Sequence, residues 1–107
     1  MLLPFTSTFA AEHHPEEFLA SIQGSPDAGK QIYTHFCANC HAKKPLIPVN
    51  APTIGEKKAW APYTTNQTIN QMIKIIDTGI GAMPPRGGCF ECSDNDLKAA
   101  ITFMLPK

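Results

Sequence analysis

Three features of the sequence predict an all-α fold. Ile69, Met72, Ile73 and Ile76 fall at i, i+3, i+4 and i+7, and Leu97, Ala100, Ile101 and Met104 repeat that interval, so each stretch presents one apolar stripe at the helical period. No segment of any length alternates apolar and polar residues in the manner of a strand, and there is no internal repeat or heptad. Ten prolines and seven glycines divide the chain into short pieces, which favours three to five short helices joined by ordered loops.

The elements can be justified in order. Residues 1–11 (MLLPFTSTFAA) are uncharged and fairly apolar. They lack the positive start of a complete export signal, so they read as a leader remnant or a flexible terminus. Residues 12–24 are an acidic lead-in able to hold a loose helical turn, and the folded domain is expected to span 25–107. Its first helix should start at Ser25-Pro26, with Ser25 as cap, Pro26 at the first helical position and Asp27 at the positive end of the helix dipole. That helix carries Ile32, Tyr33 and Phe36. Three prolines between Lys43 and Pro52 should keep that run irregular. A turn or short helix near Glu56–Trp60 precedes Pro62, and a second helix should begin near Thr64 or Thr65 and stop at Gly79. Ser93 with Asp96 three residues later caps the last helix in a variant of the capping box.

Size and charge narrow the function. A 107-residue chain is one domain that buries only about two thirds of its unfolded surface, so a large apolar cofactor would add much to its core. Nine basic and nine acidic residues cancel, which gives no support for nucleic-acid binding.

The decisive chemistry lies at Cys37-Ala38-Asn39-Cys40-His41. This is C-x-x-C-H, the attachment signature of a c-type haem. Two thiols at this spacing can each add to one vinyl group of a single porphyrin, and the adjacent histidine then sits under the iron as an axial ligand. A second axial ligand must come from elsewhere. Met72 and Met104 sit in helix stripes, where methionine usually fills core space. Met83 lies in the glycine- and proline-rich loop from Gly79 to Gly88, where Pro84 and Pro85 restrict the backbone, and is the preferred ligand. His35 lies too close to His41 in sequence to reach the other side easily, and His13 and His14 belong to the polar tail. The pair Cys89 and Cys92 reads as a structural disulfide in an exported protein. The alternative joins Cys89 and Cys92 with Cys37 and Cys40 in a haem-free zinc site or dithiol module.

At this point the chain resembles a bacterial class I cytochrome c, and most closely the cytochrome c5 group. The resemblance rests on Gly29-Lys30-Gln31-Ile32-Tyr33, the C-x-x-C-H run, Ala51-Pro52-Thr53-Ile54-Gly55, Trp60-Ala61-Pro62 and, most specifically, Met83-Pro84-Pro85-Arg86-Gly87-Gly88-Cys89-x-x-Cys92-Ser93-Asp94. It covers about residues 26–105. It implies a small class I cytochrome c fold around one covalently bound haem c. It also implies a first and last helix crossing closely at Gly29, with Tyr33 and Phe103 beside the crossing. The Pro52 carbonyl would accept a hydrogen bond from His41, Trp60 would donate its indole N–H to a haem propionate or simply fill the core, and Arg86 would neutralise propionate charge. The function implied is one-electron transfer in the periplasm between redox proteins, with a quinol-oxidising complex as donor and a terminal oxidase or reductase as acceptor, rather than catalysis. Loose membrane association through the N-terminus is a further option. Lys43, Lys44, Lys57, Lys58 and Lys74 are candidates for a docking patch.

Overall fold

The computed structural model describes residues 14–107, and the elements among them are helices plus one isolated β-bridge between Ile80 and Met83. The readings made for residues 1–11 and for His13 lie outside the described residues. The helices are α1 (Pro15–Ile22), α2 (Ala28–Ile32), α3 (Ala38–His41), α4 (Lys57–Thr64), α5 (Ile69–Thr78) and α6 (Asp94–Met104). A π-helical turn, Tyr33–Cys37, joins α2 to α3, and a 3₁₀ turn, Pro85–Gly88, precedes the disulfide loop.

Four local expectations are corrected. The acidic lead-in is a full helix, α1, with Pro15 opening it and Glu16 and Glu17 at its positive end. Its Leu19 and Ile22 are only 5% and 4% exposed, so this segment is part of the folded core and not a tail before residue 25. Ser25 does not cap the next helix. Its hydroxyl donates to the Asp27 carboxylate, which also accepts from Gln31, and Asp27 becomes the residue before α2. The helix around Trp60 continues through Pro62 to Thr64, at the loss of one backbone bond. Thr64 and Thr65 therefore end α4, and α5 starts at Thr68, whose hydroxyl accepts from the Gln71 N–H while the Gln71 side chain accepts from the Thr68 N–H. The same reciprocal pair forms at Ser93 and Asp96 for α6.

The tightest contact in the fold is the crossing of α2 and α6. A Cβ added at Gly29 would lie 2.4 Å from the Ala99 carbonyl oxygen and 2.8 Å from its carbon, so only glycine allows the backbones to meet. Tyr33 and Phe103 pack beside this crossing with ring centroids 5.3 Å apart. Two apolar clusters flank it. One gathers Leu19, Ile22, Ile32, Leu97 and Ala100 around the second cysteine pair; the other gathers Tyr33, Trp60, Met72, Ile73, Ile101 and Met104.

Candidate haem site

The C-x-x-C-H residues lie where the π-helical turn becomes α3. Such a turn carries one residue more than an α-turn and commonly marks a functional position. Here it ends at Cys37, and α3 carries Cys40 and His41. Both thiols are partly exposed and unpaired by disulfide. Burial, with Cys40 beside it, pushes the Cys37 thiol up to about 12, so it stays neutral against its apolar surroundings.

His41 is buried, and its Nδ1 lies 2.7 Å from the Pro52 carbonyl oxygen. A carbonyl can only accept, so Nδ1 carries the proton and Nε2 keeps its lone pair. The bond fixes the ring's tautomer and orientation, as is common for a histidine that binds a metal. The loop holding Pro52 is itself anchored, since the Ile54 N–H donates to the His41 carbonyl and the Gly55 N–H donates to that of Met104. The Trp60 ring stacks near the imidazole at 5.9 Å.

A cavity of about 500 Å³ opens over these groups, within the range of small-molecule and cofactor sites. Cys37, Cys40, His41 and Met83 all line it, as do Met72, Ile75 and Ile76 from α5 and Leu97, Ala100, Ile101 and Met104 from α6. Its walls are mostly apolar. Met72 and Met104 are 6% and 3% exposed and packed into the core cluster, whereas Met83 is half-buried and belongs to neither cluster.

The loop bearing Met83 has little core of its own. Gly79 closes α5 with φ +83°, and a Cβ there would sit 2.8 Å from the Met83 carbonyl oxygen. Ile80 and Met83 exchange backbone bonds of 3.1 and 2.9 Å. Cys89 and Cys92 form a disulfide and are 0% and 4% exposed. That bond consumes the two thiolates a four-cysteine zinc site would need, and the described residues contain no other cluster of three metal-ligating side chains.

Among the described residues, the histidines other than His41 do not line the cavity. His35 is exposed and stacks on Phe18 at 3.8 Å, and His14 is exposed at the start of α1.

The family model described as cytochrome C oxidase, cbb3-type, subunit III matches residues 24–104. Over 82 residues the chain is 34% identical to cytochrome c5 of Azotobacter vinelandii, covering 76% of this chain and 95% of that one. The chain belongs to the class I c-type cytochromes, in their cytochrome c5-like group. It is also 33% identical to cytochrome c-555 of Chlorobaculum tepidum over 81 residues, 73% of this chain and 72% of that relative. A chain in the crystal structure of an electron transfer complex of nitrite reductase with cytochrome c shares 39% identity and a TM-score of 0.62, covering 72% of this chain and 89% of that one.

As a c-type cytochrome the protein binds one covalent haem c with iron, and it acts in electron transfer. The residues present fit that group: an apolar cavity, two free thiols at its wall and an imidazole whose Nε2 lone pair is unused. Two further residues that the resemblance singled out have hydrogen-bond partners within the chain. The Trp60 indole N–H donates to the Thr53 carbonyl at 2.8 Å, which fits the core-filling one of the two roles the resemblance implied. The Arg86 guanidinium donates to Asp77 at 2.6 Å, to the Cys92 carbonyl at 2.7 Å and to Asp94 at 3.2 Å. It therefore ties the Met83 loop to the end of α5 and the start of α6. Arg86 also holds φ +57°, a conformation L-residues rarely adopt, so these contacts offset a local backbone penalty. Sequence reasoning gave neither Thr53 nor Asp77 a role, because only the fold brings them to their partners.

Proposed function

We propose that Cys37 and Cys40 hold the haem by thioether bonds, that His41 Nε2 and the Met83 thioether are its axial ligands, and that the protein is a periplasmic one-electron carrier with no catalytic activity of its own. The observation that carries the reading is the single cavity lined by all four side chains. When bound, the haem iron supplies a reversible one-electron couple. The chain's residues do the rest. The Pro52 carbonyl makes His41 a better donor, the Met83 thioether favours the reduced state, and the apolar walls exclude water. With both axial positions filled there is no open site for a small-molecule substrate. Export is supported by chemistry, since thioether-linked haem and a disulfide both belong to oxidising compartments. No helix among the described residues is long and apolar enough to cross a membrane. A quinol-oxidising complex as donor and a terminal oxidase or reductase as acceptor suit a carrier of this kind. Such encounters use small, weak interfaces so that release keeps pace with electron flow.

The test is a visible spectrum and redox titration of the matured protein and of Met83→Ala. The wild type should show a sharp c-type α band when reduced, a weak far-red thioether-to-iron band when oxidised, and no reaction with carbon monoxide. Met83→Ala should lose the far-red band, bind carbon monoxide and fall in potential by more than about 100 mV. An unchanged spectrum and potential in the variant would mean that another group ligates the iron.

A further inference from the structure

Among the described residues, two that are not glycine hold a left-handed backbone, Arg86 at φ +57° and Asn50 at φ +60°. Arg86 belongs to the Met83 loop, and its contacts with Asp77, Asp94 and the Cys92 carbonyl hold it there. Asn50 belongs to the His41 side, at the cavity wall and just before Ala51 and Pro52. It is exposed, so packing does not impose its conformation. The chain around it does. After α3 ends at His41, the chain is pinned where the Ile47 N–H donates to the Asn39 carbonyl at 2.9 Å. It must then turn back to His41. The Pro52 carbonyl lies 2.7 Å from the ring Nδ1, and the Ile54 N–H donates to the His41 carbonyl at 2.7 Å, so the segment 52–54 grips His41 at both ring and backbone. Between these anchors, Pro48 and Pro52 have φ fixed near about −65°. Ala51 precedes a proline and is pushed into the extended region. Val49 is β-branched and disfavoured at positive φ. Asn50 is left to reverse the chain, and asparagine tolerates that conformation better than most residues other than glycine.

We infer that Asn50 is a positioning residue for the His41 ring: its left-handed turn carries the Pro52 carbonyl onto Nδ1 and so sets the tautomer and donor strength of the imidazole. The inference rests on the proposed ligation by His41 and adds the residue that governs it. Position 50 supplies a backbone conformation, not an amide. A strained position of this kind persists where its surroundings over-determine it, and here the two bonds to His41 do so. A residue that resists positive φ lets the turn relax, draws the Pro52 carbonyl away from Nδ1 and leaves that N–H to water. The imidazole is then a weaker donor to iron, which favours Fe(II) over Fe(III).

The test uses the matured, isotopically labelled holoprotein and the variants Asn50→Gly, Asn50→Ser and Asn50→Val. Two quantities are read: the rate at which the His41 Nδ1–H exchanges with deuterated water, by NMR, and the Fe(II)/Fe(III) ratio at one fixed poise. Asn50→Val should speed the exchange at least about tenfold and raise the ratio about threefold, the scale of one weakened hydrogen bond. Asn50→Ser keeps a polar side chain but accepts positive φ poorly, so it should move both quantities in the same direction by less. Asn50→Gly loses the side chain and keeps the turn, so it should match the wild type in both. Should Asn50→Val fail to mature, the contrast between Asn50→Ser and Asn50→Gly decides alone. A changed ratio in Asn50→Gly would assign the effect to the amide and overturn the inference. So would lower stability in Asn50→Ser with exchange and ratio unchanged, which would leave Asn50 a turn residue with no hold on the ring. Failure of the ligation reading shows in the wild type instead, as iron-shifted histidine signals that are missing or belong to a residue other than His41.

Discussion

The segment carrying His41 and the segment carrying Met83 line one cavity but are held by different means. His41 follows a helix wedged against α6 at Gly29, its ring is fixed by the Pro52 carbonyl, and its neighbours belong to the core. Met83 sits on a loop shaped by Gly79, one bridge to Ile80, the Arg86 contacts and a disulfide. The first arrangement rests on buried packing that can yield only by unfolding. The second rests on a few polar contacts whose acidic partners, Asp77 and Asp94, are 56% and 73% exposed. The Met83 side should therefore loosen first, and the two sides should respond to mutation in different observables.

The largest effect is expected on the His41 side. Cys37→Ala or Cys40→Ala should leave little stable holoprotein, measured as haem stain and pyridine haemochrome per milligram of purified chain; normal yields from either would remove these cysteines from attachment. Gly29→Val comes next. Its side chain must push apart backbones already in contact, at a cost of about 3 kcal/mol or more in urea unfolding. The far-red thioether band should nevertheless persist until the whole protein unfolds. If that band disappeared well before the global transition, the two sides would not be separable in the way argued.

Arg86→Ala should reverse that pattern. The exposed ion pairs contribute little, and the part-buried bond to the Cys92 carbonyl contributes most of an expected loss of about 1–2 kcal/mol. The thioether signature should vanish at lower temperature or urea than global unfolding, and Arg86→Lys should restore it only partly, lacking the fork that spans three acceptors. Coincident transitions in Arg86→Ala would show that the loop is held by other contacts. The smallest effect is Thr68→Ala, which removes one half of the α5 capping box and should lower stability by about 1 kcal/mol with no change in potential. A shifted potential would mean that the start of α5 reaches the iron's surroundings more directly than its position implies.

The sequence was legible where a local rule and the tertiary fold agree. The stripes of α5 and α6 and the Ser93–Asp96 cap could be read because periodicity and capping act within a few residues. Gly79 could be read for the same reason. Other features were set at longer range. α1 has modest amphipathicity and an acidic start, and only the packing of Leu19 and Ile22 against α2 and α6 makes it belong to the core. Thr64 and Thr65 look as suitable for a cap as Thr68, and the choice falls to Thr68 because Gln71 stands three residues later to complete the reciprocal pair. Trp60 and Arg86 have polar groups that a motif can assign to a cofactor. Their actual acceptors, the carbonyls of Thr53 and Cys92, are backbone atoms that carry no sequence signal at all.

The meeting of Gly29 with Ala99 has a consequence for the order in which the fold can be built. The crossing joins residues near the two ends of the domain, so closing it spends loop entropy over most of the chain before any other long-range contact repays it. A chain still being made, or still being threaded through a membrane pore, lacks α6 and with it the surface that α2 and the second core cluster need. Such a chain would stay open until its last helix arrives, and in that interval Cys37 and Cys40, the proposed attachment thiols, would be accessible before the cavity closes over them.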